Sequence, residues 1–260
     1  LIEGQTRLKN RYKQLIEIVF PEFSLIFNDL YDDLALKFIH DFPHPVLFAN
    51  RRIDYLMNYL KEKNGTTQAF RFKNKVLKMK ELASNSLCFV CFDSYQVQNL
   101  IQTIEMIQYH KSEINKIKEQ LINEMRDKKL FKIINSIPGF GEFFTALFLA
   151  EVGDITRFDD KYQFISFLGI DSVTSQSGVS AYHGAISKTG CKFGRTILFN
   201  VVTTILQISA HANTSNSIYL FFRKKQSEGK HHYKCIIACE TKLCKIIYKL
   251  CSSNCLYENK

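Results

Sequence analysis

The chain has 260 residues, 46% of them hydrophobic, which is enough to bury the core of one or two domains and excludes a largely disordered protein. Its formal net charge of +10 indicates a polyanionic partner, above all nucleic acid. The longest apolar runs, at 143–152 and 196–208, are too short or too interrupted by polar residues to cross a bilayer, so we expect no membrane segment.

The first 95 residues predict a region of amphipathic helices. Residues 1–20 place apolar side chains on one helical face, and Pro21 should end or bend that helix. A turn is expected at 42–45, because residues that precede proline avoid the helical conformation. Three further helices are predicted, at 24–40, 50–63 and 68–83. No pattern in residues 1–95 indicates catalysis, so we interpret them as a helical linker region.

A long helix is predicted within residues 96–131. Apolar side chains recur there in steps of three and four or their multiples, which is typical of a coiled coil. The seam residues are Leu100, Ile104, Ile107, Ile114, Leu121 and Met125. Lys111 and Lys118 occupy two further seam positions, which leaves an antiparallel hairpin or a partner-contacting arm open beside a parallel dimer. One long core helix of a bundle explains the same spacing equally well. The coiled-coil interpretation implies a homo-oligomer formed through this helix.

Residues 132–260 are predicted to form a C-terminal helical domain. The turn Ile137-Pro-Gly-Phe-Gly141 leads into an apolar helix at 142–152, an arrangement close to a helix-hairpin-helix entry. The Ser-, Thr- and Gly-rich residues 170–190 are expected to be an exposed loop. Other helices are predicted at 158–168, 195–210 and 234–250. Because almost no stretch alternates with period two, the sequence predicts an all-α fold.

Eight cysteines are present, yet their spacing does not indicate a disulfide scaffold. Five of them recur near multiples of a helical turn: Cys235, Cys239, Cys244, Cys251 and Cys255. This pattern predicts small core residues in a reducing, cytoplasmic setting. Cys88 and Cys91 form a CxxC pair, but no second pair follows at the spacing of a zinc ribbon, so no metal site is predicted.

The candidate DNA-binding residues lie in the C-terminal domain. A glycine-flanked turn that leads into a helix leaves main-chain N–H groups free to hold phosphate, which makes Gly139, Phe140 and Gly141 candidate contacts. Downstream, residues 187–249 contain 11 basic and only two acidic side chains. Nucleic acid explains that imbalance better than an ordinary solvated helix surface does. The candidate basic contacts are Lys188, Arg195, Arg223, Lys224 and Lys225.

Several motifs follow one another in a fixed order along the chain. The turn IPGFG is followed by AEVGDITRF, QFISFLGI, SQSG, ISKTG and a helix that begins near Arg195. This order resembles the C-terminal domain of the IS110-type insertion-sequence transposases. Upstream, the segments QTRLKNRYKQLIEIVFPEF and FIHDFPHPVLFAN resemble the linker region that follows the RuvC-like domain in those proteins. The segment FFRKKQSEGKHHYKCIIACETKLCKIIY resembles their C-terminal helical end, so the resemblance covers nearly the whole chain.

The resemblance implies a recombinase with two cooperating sites. One is a RuvC-like domain whose DEDD carboxylates bind Mg²⁺, and the other is a downstream domain whose serine becomes joined to DNA. The family serine matches Ser177, immediately before Gly178, with Ser175 as the alternative nucleophile. In some members a structured bridge RNA selects donor and target DNA, so the resemblance implies a guide RNA as an additional partner beside DNA.

The chemistry of a serine nucleophile is compatible with this assignment. Serine is a weak nucleophile and needs a base, a metal-polarised phosphate or cationic neighbours to attack a phosphodiester. Lys188 and Arg195, with His183 nearby in sequence, are expected to neutralise charge on the phosphate oxygens, and Gly178 to let the backbone approach DNA. On spacing alone, a solvated connecting loop explains the serine-rich residues better, and only the ordered family motifs reverse that preference.

The DEDD half of the reaction is not found in this chain. Asp154, Asp159, Asp160 and Asp171 are better explained as turn and helix-cap residues than as metal ligands, and the chain begins at Leu1, inside a predicted helix. We therefore expect the C-terminal part of a transposase, which binds DNA and supplies the serine. We expect it to have no cofactor of its own and not to cleave DNA without the RuvC-like half. The alternative is a non-catalytic DNA-binding and assembly module, or a remnant of a decayed element.

Overall fold

The computed structural model describes residues 2–65, 69–86, 88, 90–177, 180–212 and 216–258, and for 172–185 it describes the backbone. It divides the chain into two compact units, Leu1–Lys116 (unit 1) and Ile117–Lys260 (unit 2). Helices make up nearly all of the regular structure in the described residues, where one two-stranded antiparallel hairpin is the exception. The predicted all-α fold class is confirmed.

Unit 1 is built from amphipathic helices. They are α1 (Ile2–Val19), α2 (Asp33–Asp41), α3 (Pro45–Ala49), α4 (Ile53–Asn64), α5 (Lys73–Ser84) and the first part of α6 (Tyr95–Arg126), with short 3-10 helices at Pro21–Leu25 and Ala69–Phe72. Pro21 ends α1 as expected, because its ring cannot continue an α-helix. The helix predicted at 24–40 is wrong over its first part. The Asp32 carboxylate accepts from the Leu34 N–H and starts α2 only at Asp33.

The core of unit 1 is rich in phenylalanine. Phe38 is fully buried, and its ring lies within 5.2 Å of the Phe48 ring and 5.1 Å of the Phe42 ring, centroid to centroid. The apolar face of α1 covers this aromatic cluster with Tyr12, Leu15, Ile16 and Val19. Burying a phenylalanine side chain contributes about 1.5–3 kcal/mol, so these rings supply much of the stability of the unit.

Cys88, the first cysteine of the CxxC pair, has a structural role. Cys88 Sγ lies 3.1 Å from His44 Nε2 and donates to the Val19 carbonyl at 2.9 Å. His44 is buried and caps α3, because its Nδ1 accepts from the Val46 N–H. The Nε2 atom of His44 therefore carries the proton and faces the Val90 carbonyl at 3.0 Å, so it cannot act as a base toward the thiol. In the described part of the chain, no group of three or more His, Cys, Asp or Glu side chains could hold a metal ion.

Helix α6 contributes its two ends to different cores. The seam residues Leu100, Ile104 and Ile107 are buried inside unit 1, whereas Met125 is buried inside unit 2. Packing within the chain thus occupies much of the seam that the coiled-coil interpretation assigned to a partner. The middle of α6 is more accessible, and Ile117 there is 50% exposed.

Unit 2 contains helices and a hairpin. Its elements are α7 (Lys129–Asn135), α8 (Glu142–Val152), a 3-10 helix at Ile155–Arg157, α9 (Lys161–Leu168), β1 (Ser172–Ser177), β2 (Ser180–Ile186), α10 (Lys192–Ala212), α11 (Ser217–Ser227) and α12 (His232–Ser253). The helix at 142–152 has the predicted bounds. The loop expected at 170–190 is instead the β1–β2 hairpin, and the sequence reading missed α7 and α11. Both missed helices are short, so few apolar positions are available to show a helical period.

The core of unit 2 forms around α10 and α12. Helix α10 is long and apolar enough to cross a membrane by composition, but core helices of folded domains pass the same test. It packs against α8, α9, α11 and α12 and buries Ile197, Leu198, Val201, Val202 and Ile205. Its apolar character is therefore explained by its place in the core of unit 2.

The cysteine stripe of α12 faces the same core. Cys235, Cys239, Cys244 and Cys251 are buried, as the helical spacing predicts. Burial raises the pKa of both the Cys239 and the Cys251 thiol to about 12, which keeps them protonated and unreactive. The prediction for Cys255 is wrong, because α12 ends before it with Asn254 in a left-handed cap and Cys255 is exposed.

Candidate functional site

The serine motif lies on the β1–β2 hairpin. Ser177 ends β1 and pairs with Ser180 at the hairpin tip, and Ser175 pairs with Tyr182. His183 lies in β2 opposite Thr174, whereas Gly178 lies outside the described residues. A short antiparallel hairpin can carry a serine away from the body of a domain, which suits a residue that must reach a large substrate.

The predicted cations lie at the other end of the hairpin. Ser172 pairs with Ile186 at the base, and Lys188 and Arg195 follow that base in the chain. At ~3.3 Å per residue, the five steps from Ser172 to Ser177 place the tip about 16 Å from the base. The structure therefore does not bring Ser177 together with Lys188 and Arg195 of the same chain, contrary to the expectation that these cations surround the serine.

The base of the hairpin is closed by hydrogen bonds that extend beyond the strands. The Ser187 hydroxyl donates to the Asp171 carboxylate at 2.6 Å, and the Ser187 N–H donates to the Asp171 carbonyl at 2.9 Å. The Lys188 N–H then donates to the Gly169 carbonyl at 3.1 Å. Lys188 is exposed and has a positive φ of 56°, which directs the chain back toward α10.

Two glycines allow the chain to approach itself at this base. Gly169 has a φ of 65°, and a Cβ added there would lie 2.7 Å from the Gly190 nitrogen and 2.8 Å from an Arg195 guanidinium nitrogen. A Cβ at Gly190 would overlap the Phe167 carbonyl oxygen. Neither position has space for a side chain, so the ends of α9 and α10 are held close together here.

Arg195 connects the hairpin base to α9. The same guanidinium nitrogen donates to the Leu168 carbonyl at 2.8 Å and to the Gly190 carbonyl at 3.1 Å. Carbonyls at a helix C-terminus carry partial negative charge, so a cation placed there stabilises the end of α9. The residue is half-buried, and these contacts give it a positioning role in the free protein.

An acid is buried near this arginine. Glu240 on α12 is 3% exposed, and burial raises the pKa of its carboxyl to about 7, against a smaller lowering by the charge of Arg195. A buried carboxyl that titrates near neutral pH is unusual in a structural core. The charge of the Glu240 carboxyl therefore interacts with that of Arg195, the residue that holds the hairpin base.

The IPGFG turn is packed onto α10. Gly139 has a φ of 87°, and a Cβ there would lie 2.6 Å from Ile205 Cγ1 and 2.9 Å from the Val201 carbonyl. Phe140 is 4% exposed, with its ring 5.5 Å from the Phe148 ring, so its side chain is a core residue and cannot contact DNA. Gly141 caps α8 with open space around it, which leaves the first-turn N–H groups of α8 as the groups available to phosphate.

The basic segment presents a positive outer surface. Its two acids offset little of that charge, because Glu240 is buried and the single carboxylate of Glu228 is shared by Lys225 at 2.9 Å and Lys230 at 3.2 Å. Of the predicted run on α11, Arg223 and Lys224 are exposed, whereas Lys225 is paired. The exposed cations of this segment that form no ion pair within the described residues are Lys188, Lys192, Arg223, Lys224, Lys234, Lys245 and Lys249.

Sequence reasoning missed a groove beside the hairpin base. It has a volume of about 690 Å³ and is lined by Phe158, Phe167, Gly190 and their neighbours. The Arg157 guanidinium lies 4.8 Å from the Phe158 ring centroid and 5.0 Å from that of Phe167. In the sequence, the adjacent residues Arg157 and Phe158 indicate this groove only weakly. The fold completes it, because Phe167 reaches them from the far end of α9.

A comparison with known protein families gives a match within unit 2. Residues 131–216 match the family model described as Transposase IS116/IS110/IS902 family. No curated protein matches the chain. The matched residues run from α7 to the cap of α11 and include the IPGFG turn, the whole hairpin and Arg195. Residues 131–216 are therefore similar to the transposase domain of that family.

Proposed function

We propose that this chain handles DNA in a transposition reaction, with unit 2 binding DNA and Ser177 acting as the nucleophile. One observation carries the proposal: the transposase domain spans 131–216 and contains the hairpin that has Ser177 at its tip. The uncompensated positive surface of 187–249 supports the same proposal, because counterion release from DNA favours such a surface.

The proposed step is a transesterification at a phosphodiester. The Ser177 hydroxyl loses its proton to a base and its oxygen bonds to phosphorus. The P–O bond to one deoxyribose breaks, and the leaving sugar oxygen takes up a proton. Because one ester bond replaces another, the DNA can later be rejoined without an external energy source.

Groups that stabilise the reacting phosphate must come from outside the hairpin base. Lys188 and Arg195 follow the base about 16 Å from the tip, and Arg195 is already bound to main-chain carbonyls. By the family resemblance, a RuvC-like domain with Mg²⁺ would supply this stabilisation. The described acids of unit 2 do not form such a site, since Asp154 and Asp160 cap helices and Asp171 accepts from Ser187.

The test replaces the candidate nucleophiles one at a time. Ser177→Ala and Ser175→Ala are assayed for transposition and for a covalent protein–DNA product on a denaturing gel, with the RuvC-like half supplied. We expect Ser177→Ala to abolish both signals and Ser175→Ala to retain them. If only Ser175→Ala loses both signals, Ser175 is the nucleophile. Full activity of both variants would contradict a catalytic role and favour the non-catalytic DNA-binding and assembly module.

Other parts of the assembly follow from the same proposal. A guide RNA would use the positive surface of unit 2, and a homo-oligomer would use the accessible middle of α6 around Ile114 and Ile117. Transposition acts on cellular DNA, so the proposed function places the protein in the cytoplasm.

A further inference from the structure

A second basic surface lies in unit 1, outside the residues that match the transposase family. An open groove of about 680 Å³ is lined by the first turn of α4, by the residues just before it and by one face of α5. Four of its lining side chains are cations and one is an acid: Arg51, Arg52, Lys73, Lys80 and Asp54. A volume of this size is in the range of ligand-binding clefts.

The positive charge of this groove is not cancelled within the unit. Among the described residues that line the groove, Asp54 is the only acid, against four cations. Asp54 lies 3.4 Å from Arg52, but both side chains are more than 70% exposed, so solvent screens the pair and it contributes little. The groove therefore attracts an anion.

One of the cations is held in place, and the helices set the spacing of the others. Helix α5 packs against both α3 and α4, which defines the two walls of the groove. The Lys80 ammonium donates to the Arg51 carbonyl, which fixes the amine without neutralising it. Lys73 and Lys80 are seven residues apart, so they lie about 10 Å apart along α5. Cations at this separation can contact more than one phosphate of an extended strand.

An exposed aromatic ring adjoins the groove. Tyr55 is 50% exposed, and the Arg51 guanidinium lies 5.7 Å from its ring centroid. Unpaired bases stack on such rings and on arginine planes, whereas the bases of a duplex are already stacked on each other. The first turn of α4 adds N–H groups, because Arg52 at its N-cap makes no side-chain hydrogen bond to them.

We propose that this groove binds the phosphodiester backbone of a single nucleic-acid strand, with an unpaired base against Tyr55 and Arg51. The ligand class follows from the combination of several cations with an exposed aromatic ring in a concave site. A duplex presents its phosphates on a rod much wider than the groove and buries its base faces. This site is separate from the Ser177 hairpin and does not depend on its role.

The test uses the full chain with a charge-matched control. The groove variant is Arg52→Gln with Lys73→Gln, and the control is Lys13→Gln with Lys37→Gln, two exposed lysines of unit 1 that do not line the groove. The probes are one sequence as single-stranded DNA, as single-stranded RNA and as duplex DNA. Hydrogen exchange of residues 50–57 reports binding at the groove itself, independently of unit 2.

We expect a single strand to protect residues 50–57 from exchange in the parent and in the control, and not in the groove variant. Single-strand affinity at the groove should fall about 25-fold at ~0.1 M salt, and the slope against log salt by about 1.4, for two lost phosphate contacts. Protection by DNA alone, RNA alone or both supports the site and identifies the strand.

Three results would overturn the proposal: no protection by either strand, protection by the duplex alone, or equal loss in the groove and control variants. A charge-retaining variant, Arg52→Lys with Lys73→Arg, should keep the protection and shows that the fold tolerates changes at both positions. Failure of Ser177→Ala to affect transposition leaves these outcomes unchanged, so the two proposals are tested separately.

Discussion

Replacing Glu240 by glutamine should change how the stability of unit 2 depends on pH. Burial raises the pKa of this carboxyl from its ordinary 4.5 to about 7. The folded protein therefore binds the proton more tightly than the unfolded chain does. Stability from this group is fully present below pH 4.5 and is lost as the pH rises through 7.

The size of the effect follows from that shift. At about 1.4 kcal/mol per pKa unit, the wild-type protein loses about 3 kcal/mol between pH 4.5 and pH 8 through this one group. Glutamine has nearly the same shape and does not ionise. The difference in free energy of unfolding, Glu240→Gln minus wild type, should therefore rise by about 3 kcal/mol from pH 4.5 to pH 8. The variant is then favoured at the alkaline end of the range.

The assay is urea unfolding at a series of pH values, read by hydrogen exchange of peptides from α10 and α12 so that unit 2 is followed by itself. Glu119→Gln on the exposed face of α6 removes one negative charge without a buried site and serves as the control. A stability difference between Glu240→Gln and wild type that stays constant with pH would refute the reasoning, as would an equal pH dependence in the control.

Other substitutions test the hairpin base and the basic surface. Gly190→Ala forces a Cβ against a main-chain carbonyl near the end of α9 and should destabilise unit 2 by about 1–3 kcal/mol in thermal unfolding. Gly141→Ala has open space around it and should cost only about 0.5–1 kcal/mol, because alanine is a poorer N-cap for α8 than glycine. Arg223→Gln with Lys224→Gln should weaken duplex DNA binding roughly 60-fold at ~0.1 M salt and lower the salt slope by about 1.8. Lys225→Gln should have less effect than either single change, since its ammonium is paired with an acid; an equal effect would contradict the assignment of exposed contacts.

The sequence was sufficient to predict much of the helical framework. The apolar spacing of α1, α4 and α12 reflects the side that each helix buries, and that spacing is a local property of the chain. The sequence also predicted the buried cysteines of α12 and the helix caps formed by Asp154 and Asp160, because both depend on local spacing. The ordered motifs also identified the transposase domain before its geometry was known.

Tertiary structure decided where the candidate chemistry lies. Nothing local indicates that 170–190 pairs into a hairpin, because its alternation is weak and its register depends on closure by Asp171 and Ser187. Closeness in sequence suggested that Arg195 accompanies Ser177, but an extended strand separates them, and α9 supplies the carbonyls that hold the guanidinium. The buried Glu240 and the groove of unit 1 likewise depend on which helices pack together, and packing between distant segments is not encoded in any single stretch.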